Sequence, residues 1–456
     1  MRKKMVSILL AGMMAVSLAG CGGKAQEKTE EKTETKTEEK TESKAENTKS
    51  DEKTVITVWT QDRHDSEYVE SKIEEFNATN DMGIEIALNV ITDDYPNMMA
   101  LAYSSGTAPD IAGVGGATSG FDLKTFVEAG IIDPLNDYIK DGEYEKVTEA
   151  SKLQFEGINM INGNVYWIPT GMRSGTRIEY NKDLVEKAGY SEFPNTLDGV
   201  VELADKITKD GNGTYYGVGF TSSVPFNRWL EGTAETSGIF RYDYKTGTFT
   251  FDGYKPIIET AHKFFENGSV FPGSTSQGVD AMRAQFVEGV FGIWGNASQE
   301  AGVFTSQFPI DKFDWGVAKV PSLDGTRKGA QSIQPQKGYM MFSCCKNKDK
   351  AWEVIKYFSS EEFLKGYLEA GLYLPISNYM DGVIDKTETG RLADFKLTDY
   401  ESVYPAVPAI SLEGDDYGTV IWRAIMGDVS ADEAVADLNK RYNEALENDT
   451  RCHSGL

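Results

Sequence analysis

Few residues in this chain have the types and spacing that bond-making chemistry requires. Histidine occurs only at His64, His262 and His453, and no Gly-x-Ser-x-Gly or His-Glu-x-x-His segment sets a nucleophile or a zinc ligand beside a base. The 71 acidic residues make chance carboxylate pairs inevitable, but no local motif fixes two of them at the separation glycosidic hydrolysis needs. Cys21, Cys344, Cys345 and Cys452 form neither a disulfide framework nor a metal-ligand spacing. Cys344 and Cys345 follow Tyr339-Met340-Met341-Phe342-Ser343, which reads as a buried strand where free thiols act as small hydrophobes. Lys209-Asp210-Gly211-Asn212-Gly213-Thr214 opens like a calcium loop, yet Thr221 stands at the twelfth position from Asp210, where a bidentate acid is required, so a glycine turn is favoured. No metal and no cofactor is expected. What remains is hydrogen-bonding chemistry: Asp62, Arg63 and His64 stand directly after a strand pattern, and charged groups give strong, directional bonds.

The elements that would position these groups alternate in type. Thr54 to Trp59 reads as a strand, a polar turn covers Gln61 to Asp65, and a helical pattern runs to about Asn77. Ile84 to Leu88 restores strand alternation, Tyr95 to Ser105 reads as a helix, and Pro109-Asp110-Ile111-Ala112 begins another strand, with Asp110 in a turn-bonding, structural role. Strand, loop and helix in this order predict an α/β sheet, whose ligand sites lie beyond the carboxyl ends of the strands. The loops Trp59 to His64 and Val114 to Ser119 are in that position.

Ser105-Gly106-Thr107-Ala108-Pro109-Asp110-Ile111 resembles the signature of family 1 extracellular solute-binding proteins, the receptors of carbohydrate ABC importers. Four further segments match in order: Gly163 to Pro169, Tyr180 to Leu184 with Ala188-Gly189, Phe286 to Gly289, and Gly371 to Pro375. The chain departs from the family pattern at Asn195-Thr196-Leu197-Asp198 and at Ile293-Trp294-Gly295-Asn296-Ala297, where an aromatic precedes the glycine. The resemblance implies a two-lobed, periplasmic-binding-protein-like α/β fold of type II, with a ligand cleft and about three hinge crossings near 172, 316 and 366. One lobe would comprise 54–172 with 317–366, the other 173–316 with 367–456.

The resemblance implies a sugar or oligosaccharide as guest, and a sugar needs planar polar groups beside aromatic platforms. Asp62, Arg63 and His64 are then hydroxyl partners, and Arg173 and Ser174 face the cleft from the first crossing. Arg173 could grip two hydroxyls or a carboxylate, leaving an acidic sugar open; Arg177 serves similarly or forms a structural ion pair. Trp229, Trp294 and Tyr373 are the aromatic candidates, with Phe226, Tyr339 and Tyr417 behind them and Asn296 in the turn after Trp294. Asp415 and Asp416 bind hydroxyls or cap the helix that begins near Val420. Two alternatives stay open: a receptor of the same architecture for a polyamine, iron or another anion, and a surface polysaccharide hydrolase.

The amino terminus and the charge place the protein. Arg2, Lys3 and Lys4 precede an apolar run from Met5 to Ala19, and Leu18-Ala19-Gly20-Cys21 reads as a lipoprotein signal over 1–20 with the lipid on Cys21. Residues 21–53 repeat Glu, Lys and Thr, cannot form a core, and read as a solvated tether. The first 53 residues hold 11 of 46 basic and 10 of 71 acidic residues, so the folded body stands near −26, which disfavours nucleic acid as a partner. An extracytoplasmic monomer, held to the membrane by its lipid and partnered by the importer's membrane subunits, is the expectation.

Overall fold

The protein is described by a computed structural model, covering residues 53–448 apart from 63–64, 117, 119, 140–155, 222–227, 297–298, 371, 375–393, 397–400, 405–406, 409 and 411. The chain divides into units 1–51 and 52–456, and every described residue lies in the second. Cys21, Arg63, His64, Phe226 and Cys452 therefore fall outside the described residues.

The strands that build the fold are β1 (Thr54–Thr60), β2 (Ile84–Val90), β3 (Ile111–Val114), β4 (Trp167–Gly171), β5 (Arg177–Asn181), β6 (Tyr216–Val218), β7 (Phe291–Asn296), β8 (Trp315–Lys319), β9 (Gln331–Ile333), β10 (Lys337–Met341) and β11 (Glu401–Val403). The first sheet has the order β2-β1-β3-β10-β4, with β1 parallel to β2 and β3, and β10 antiparallel to β3 and β4. A second sheet has the order β8-β5-β7-β6. These two mixed sheets give the α/β architecture that the strand and helix alternation predicts.

Ten helices matter for the argument: α1 (Ser66–Thr79), α2 (Tyr95–Ser105), α3 (Leu197–Gly211), α4 (Arg228–Thr236), α5 (Lys255–Glu266), α6 (Val279–Val287), α7 (Lys348–Phe358), α8 (Glu361–Glu369), α9 (Tyr417–Met426) and α10 (Ala431–Asn448). Strands β3, β10 and β4 are buried along their whole length because helices cover both faces, whereas the edge strand β2 alternates, with Glu85, Ala87 and Asn89 exposed. Tyr339 and Met341 of β10 join a core with α1, α7 and α8, while Met340 and Phe342 join another with α2. In the second sheet Ile293 faces the core built with α3, α5, α9 and α10, and Trp294 faces the one that includes Met282 and Phe286 of α6.

Local chemistry fixes the ends of these elements. The Thr196 hydroxyl accepts from the Gly199 amide at 3.1 Å and so caps α3, and Asn212 closes it in the left-handed region at φ 44°. Such a cap stabilises by about 1 kcal/mol. The Asp110 carboxylate accepts from the amide and hydroxyl of Thr57, both at 2.9 Å, and ties the start of β3 to β1. Asp210 of the calcium-like segment pairs with Lys187, and among the described residues no three acidic, histidine or cysteine side chains are grouped to hold a metal. Cys345 is buried and Cys344 exposed, both as free thiols. No described helix is long and apolar enough to cross a membrane.

Three passages join the two sheets. The first runs from β4 to β5 through 172–176 and the second from β8 to β10 through β9; the third lies beyond Leu374, whose backbone bridges Met172, and of it 394–396, β11 and short stretches before α9 are described. Residue 316 lies inside β8 of the second sheet and residue 366 inside α8, so both later passages come after those positions. The passages are bound to one another: β9 pairs in parallel with β11, placing Gln331 beside Glu401. The Gln331 side chain accepts from the Thr176 amide at 2.8 Å and donates to its carbonyl at 3.1 Å.

Candidate functional site

A cavity of about 830 Å³ opens where these passages meet the loop after β3 and the outer face of α4. Two close approaches shape it. A side chain at Gly115 would place Cβ 2.2 Å from the Gln336 carbonyl, so only glycine lets the loop after β3 lie on the segment before β10. The Gly116 amide then donates to the Pro335 carbonyl at 2.8 Å. Likewise a Cβ at Gly232 would stand 2.5 Å from Gln331 Oε1, so α4 rests directly on the second passage.

Helix α4 sorts its residues by angle. Trp229, Leu230, Thr233 and Ala234 are fully buried, whereas Glu231, Gly232 and Glu235 line the cavity. Glu231 is the anchor of a polar network: Arg241 Nη1 donates to Glu231 Oε1 at 2.7 Å, the Tyr417 hydroxyl donates to the same oxygen at 2.6 Å, and Arg241 reaches the Tyr417 oxygen at 3.0 Å. The Arg241 guanidinium also lies 4.5 Å from the Tyr417 ring centroid. Burial works against the Arg241 charge, but Tyr417 and Glu231 outweigh it and hold its pKa above the usual value. Glu235 Oε2 accepts from the Ser332 amide at 2.8 Å. Burial and the neighbouring Glu231 carboxylate push the Glu235 carboxyl up to about 8.

Arg173 enters from the first passage, its guanidinium 4.9 Å from the Tyr373 ring centroid and its Nε buried with no partner among the described residues. The Tyr373 hydroxyl donates to Asp62, and burial raises its pKa far above that of a free phenol. Behind this pair lies a buried cluster in which Lys337 Nζ stands 3.1 Å from Asp65 and 2.9 Å from the Thr60 hydroxyl, with the Tyr367 hydroxyl donating to Asp65 at 2.5 Å. Burial opposes the Lys337 charge, yet Asp65 more than compensates, and the ammonium is retained. The cluster joins β1, the approach to α1, β10 and α8 at the root of the passages.

Of the residues singled out from the sequence, Arg173, Ser174 and Tyr417 line the cavity. The remaining described ones stand elsewhere. Trp229 is core, 6.1 Å from Phe220 in a stacked pair, because its position on α4 points away from Glu231. Trp294 is core because β7 is buried along its whole length, and Asn296 at the strand end donates to the buried Glu300 carboxylate at 2.7 Å. Tyr339 stacks on Phe358 at 4.5 Å. Tyr373 is buried behind Arg173, and Asp62 is tied to it and does not line the cavity. Asp416 caps α9 by accepting from the Thr419 amide at 2.8 Å, and Asp415 pairs with Arg423. Arg177 forms a buried ion pair with Glu401, the structural alternative. The cavity adds Glu231, Glu235, Arg241, Gln331 and Tyr404, which the sequence reading passed over. One signal for two of them was available: Glu231 and Glu235 are spaced i, i+4 on a helix whose opposite face is apolar.

Comparison with known proteins identifies the family and the fold. Residues 61–365 match the family described as bacterial extracellular solute-binding protein. A binding protein of Brucella abortus is 26% identical over 318 residues, covering 68% of this chain and 72% of that one. The maltotriose-binding protein of Pyrococcus abyssi is 27% identical over 293 residues, covering 62% and 58%. Among solved structures, the GacH receptor of Streptomyces glaucescens, studied unliganded and with acarbose, superposes with a TM-score of 0.67 at 20% identity over 86% of this chain and 98% of its own. The maltose/maltodextrin-binding domain MalE of Bdellovibrio bacteriovorus, bound to maltotriose, gives 0.65 at 17% identity over 87% and 100%. The two-sheet architecture is shared with these receptors, and the chain belongs to the bacterial extracellular solute-binding proteins.

Proposed function

We propose that this protein binds a sugar or oligosaccharide in the cavity at the passages and hands it, chemically unchanged, to the membrane subunits of an ABC importer. The observation that carries the reading is the lining itself: amide groups of Gln331, Gln334 and Gln336, the Arg173 fork, the Glu231–Arg241 pair and the rings of Phe121, Tyr404 and Tyr417 surround one space. A sugar offers hydroxyls that donate and accept around an apolar ring face, and this wall supplies partners for both. The volume falls within the roughly 300–1,000 Å³ of small-molecule sites. The relatives named above, described as binding maltotriose or acarbose, support the same class of guest.

In this reading one lobe is built on 54–171 with 337–374 and the other on 177–319 with 417–448, and the Gln331–Thr176 contact lies on the axis about which they close. A guest that touches both lobes favours the closed arrangement by its differential affinity for it, and the importer reads that arrangement. A lipid on Cys21 holds the monomer at the outer face of the membrane, and 21–53 let it stand clear. The test is thermal denaturation with a panel of neutral oligosaccharides. A ligand at a hundred times its Kd stabilises by about 2.7 kcal/mol, so a raised midpoint with the saccharide recovered intact supports the reading; saccharide cleavage overturns it in favour of a hydrolase.

A further inference from the structure

Glu231 and Glu235 stand one helical turn apart on the cavity wall, yet they are not served alike. Glu231 receives the Arg241 guanidinium and the Tyr417 hydroxyl on one oxygen. Glu235 receives only the Ser332 amide, on Oε2, and its Oε1 has no partner among the described residues. The charged and titratable groups around Glu235 are Glu231 on its own helix, Arg241, Tyr244 and Tyr254 beyond it, Tyr404 after β11 and Tyr417 on α9. Lys328, on the segment whose amide bonds the end of α4, has its ammonium paired with Asp324. Among the described residues Arg241 is the guanidinium that acts on both carboxyls, and it is bound to Glu231, whereas Arg173 lies against the Tyr373 ring. Two anions so close in a half-buried site cannot both be compensated, and the second is relieved by taking a proton.

Resting on the sugar-binding reading, we propose that Glu235 stands in the cavity as a neutral carboxylic acid whose free oxygen carries the proton and donates a hydrogen bond to an acceptor oxygen of an uncharged saccharide. Glu235 is then a specificity-determining residue: it reads an acceptor where an ionised glutamate would read a donor. Burial and Glu231 hold this proton up to about pH 8, so loss of the proton on the alkaline side removes the donor and sets a negative charge against the ligand oxygen. Binding is thus linked to one proton at a pH where ordinary glutamates have long since ionised.

The experiment is isothermal titration of the full protein with maltotriose, xylotriose and cellotriose at intervals from about pH 6 to pH 9.5, with a thermal melt of each sample to show that it is folded. Where binding needs the protonated form, affinity falls about tenfold between pH 7 and pH 9. In E235Q, whatever its affinity at neutral pH, the profile is flat across this range. In E231Q, which removes the repelling charge, the fall begins at lower pH. A saccharide that binds the folded protein with a flat wild-type profile overturns the proposal alone, as does an unmoved midpoint in E231Q. If none of the three sugars binds at any pH, the sugar-binding reading falls and this proposal with it.

Discussion

Trp229 and Glu231 sit two positions apart on one helix and do opposite work. The indole is fully buried and the carboxylate faces the cavity, since two residues turn a helix by about 200°. Trp229→Ala therefore costs stability, about 3–5 kcal/mol by denaturant titration, whereas Tyr404→Ala leaves the unfolding midpoint close to wild type and weakens ligand binding by about 1–3 kcal/mol in calorimetry. Glu179 on β5 is fully buried, and neither of its carboxylate oxygens has a side-chain partner among the described residues. Burial and the Glu300 carboxylate raise its pKa well above 4.5. An acid with a raised folded-state pKa is better protonated when folded, so its contribution is full below about pH 4.5 and declines as pH rises toward the folded-state value. The decline is at most about 1.4 kcal/mol per pH unit. Glu179→Gln removes this share of the slope, leaving that of Glu235, and stabilises the protein at neutral pH; urea midpoints for both proteins from pH 4.5 to 8 check it.

At the scale of elements, the sheets were legible and the cavity was not. Thr54–Thr60 and Ile84–Val90 alternate, Tyr95–Ser105 ends at a glycine in the left-handed region, and Asp110 anchors β3 as its place beside a proline suggested. These signals are local, within one element. The site is assembled from segments far apart in the chain: Gln331 meets Thr176 across 155 positions, and Arg173 meets Tyr373 across 200. Aromatic type misled for a related reason. Trp294 and Tyr339 lie on strands covered on both faces, and one sequence does not say which sheets are covered twice. The junction of α4 with the second passage gives a prediction at this scale. Gly232→Val drives two methyls toward Gln331, where a Cβ alone would already stand 2.5 Å from Oε1. The expected loss is about 1–3 kcal/mol of stability, together with weakened ligand binding; unchanged melting and affinity would show that α4 does not rest on Gln331.

Across the whole molecule, a body near −26 disfavours polyanionic partners, and the cavity lies where the passages between the two sheets meet. Short motifs in the right order carry this architecture in the sequence, whereas the site depends on glycine contacts, helix angle and charge pairing between distant segments. The most direct measurement is a crystal structure of the protein with a neutral oligosaccharide that raises its melting midpoint. The account predicts intact sugar in the cavity, touching Arg173 and the Glu231–Glu235 face of α4 from opposite sides of the passages. Sugar bound elsewhere on the body, or cleaved within the cavity, would contradict it.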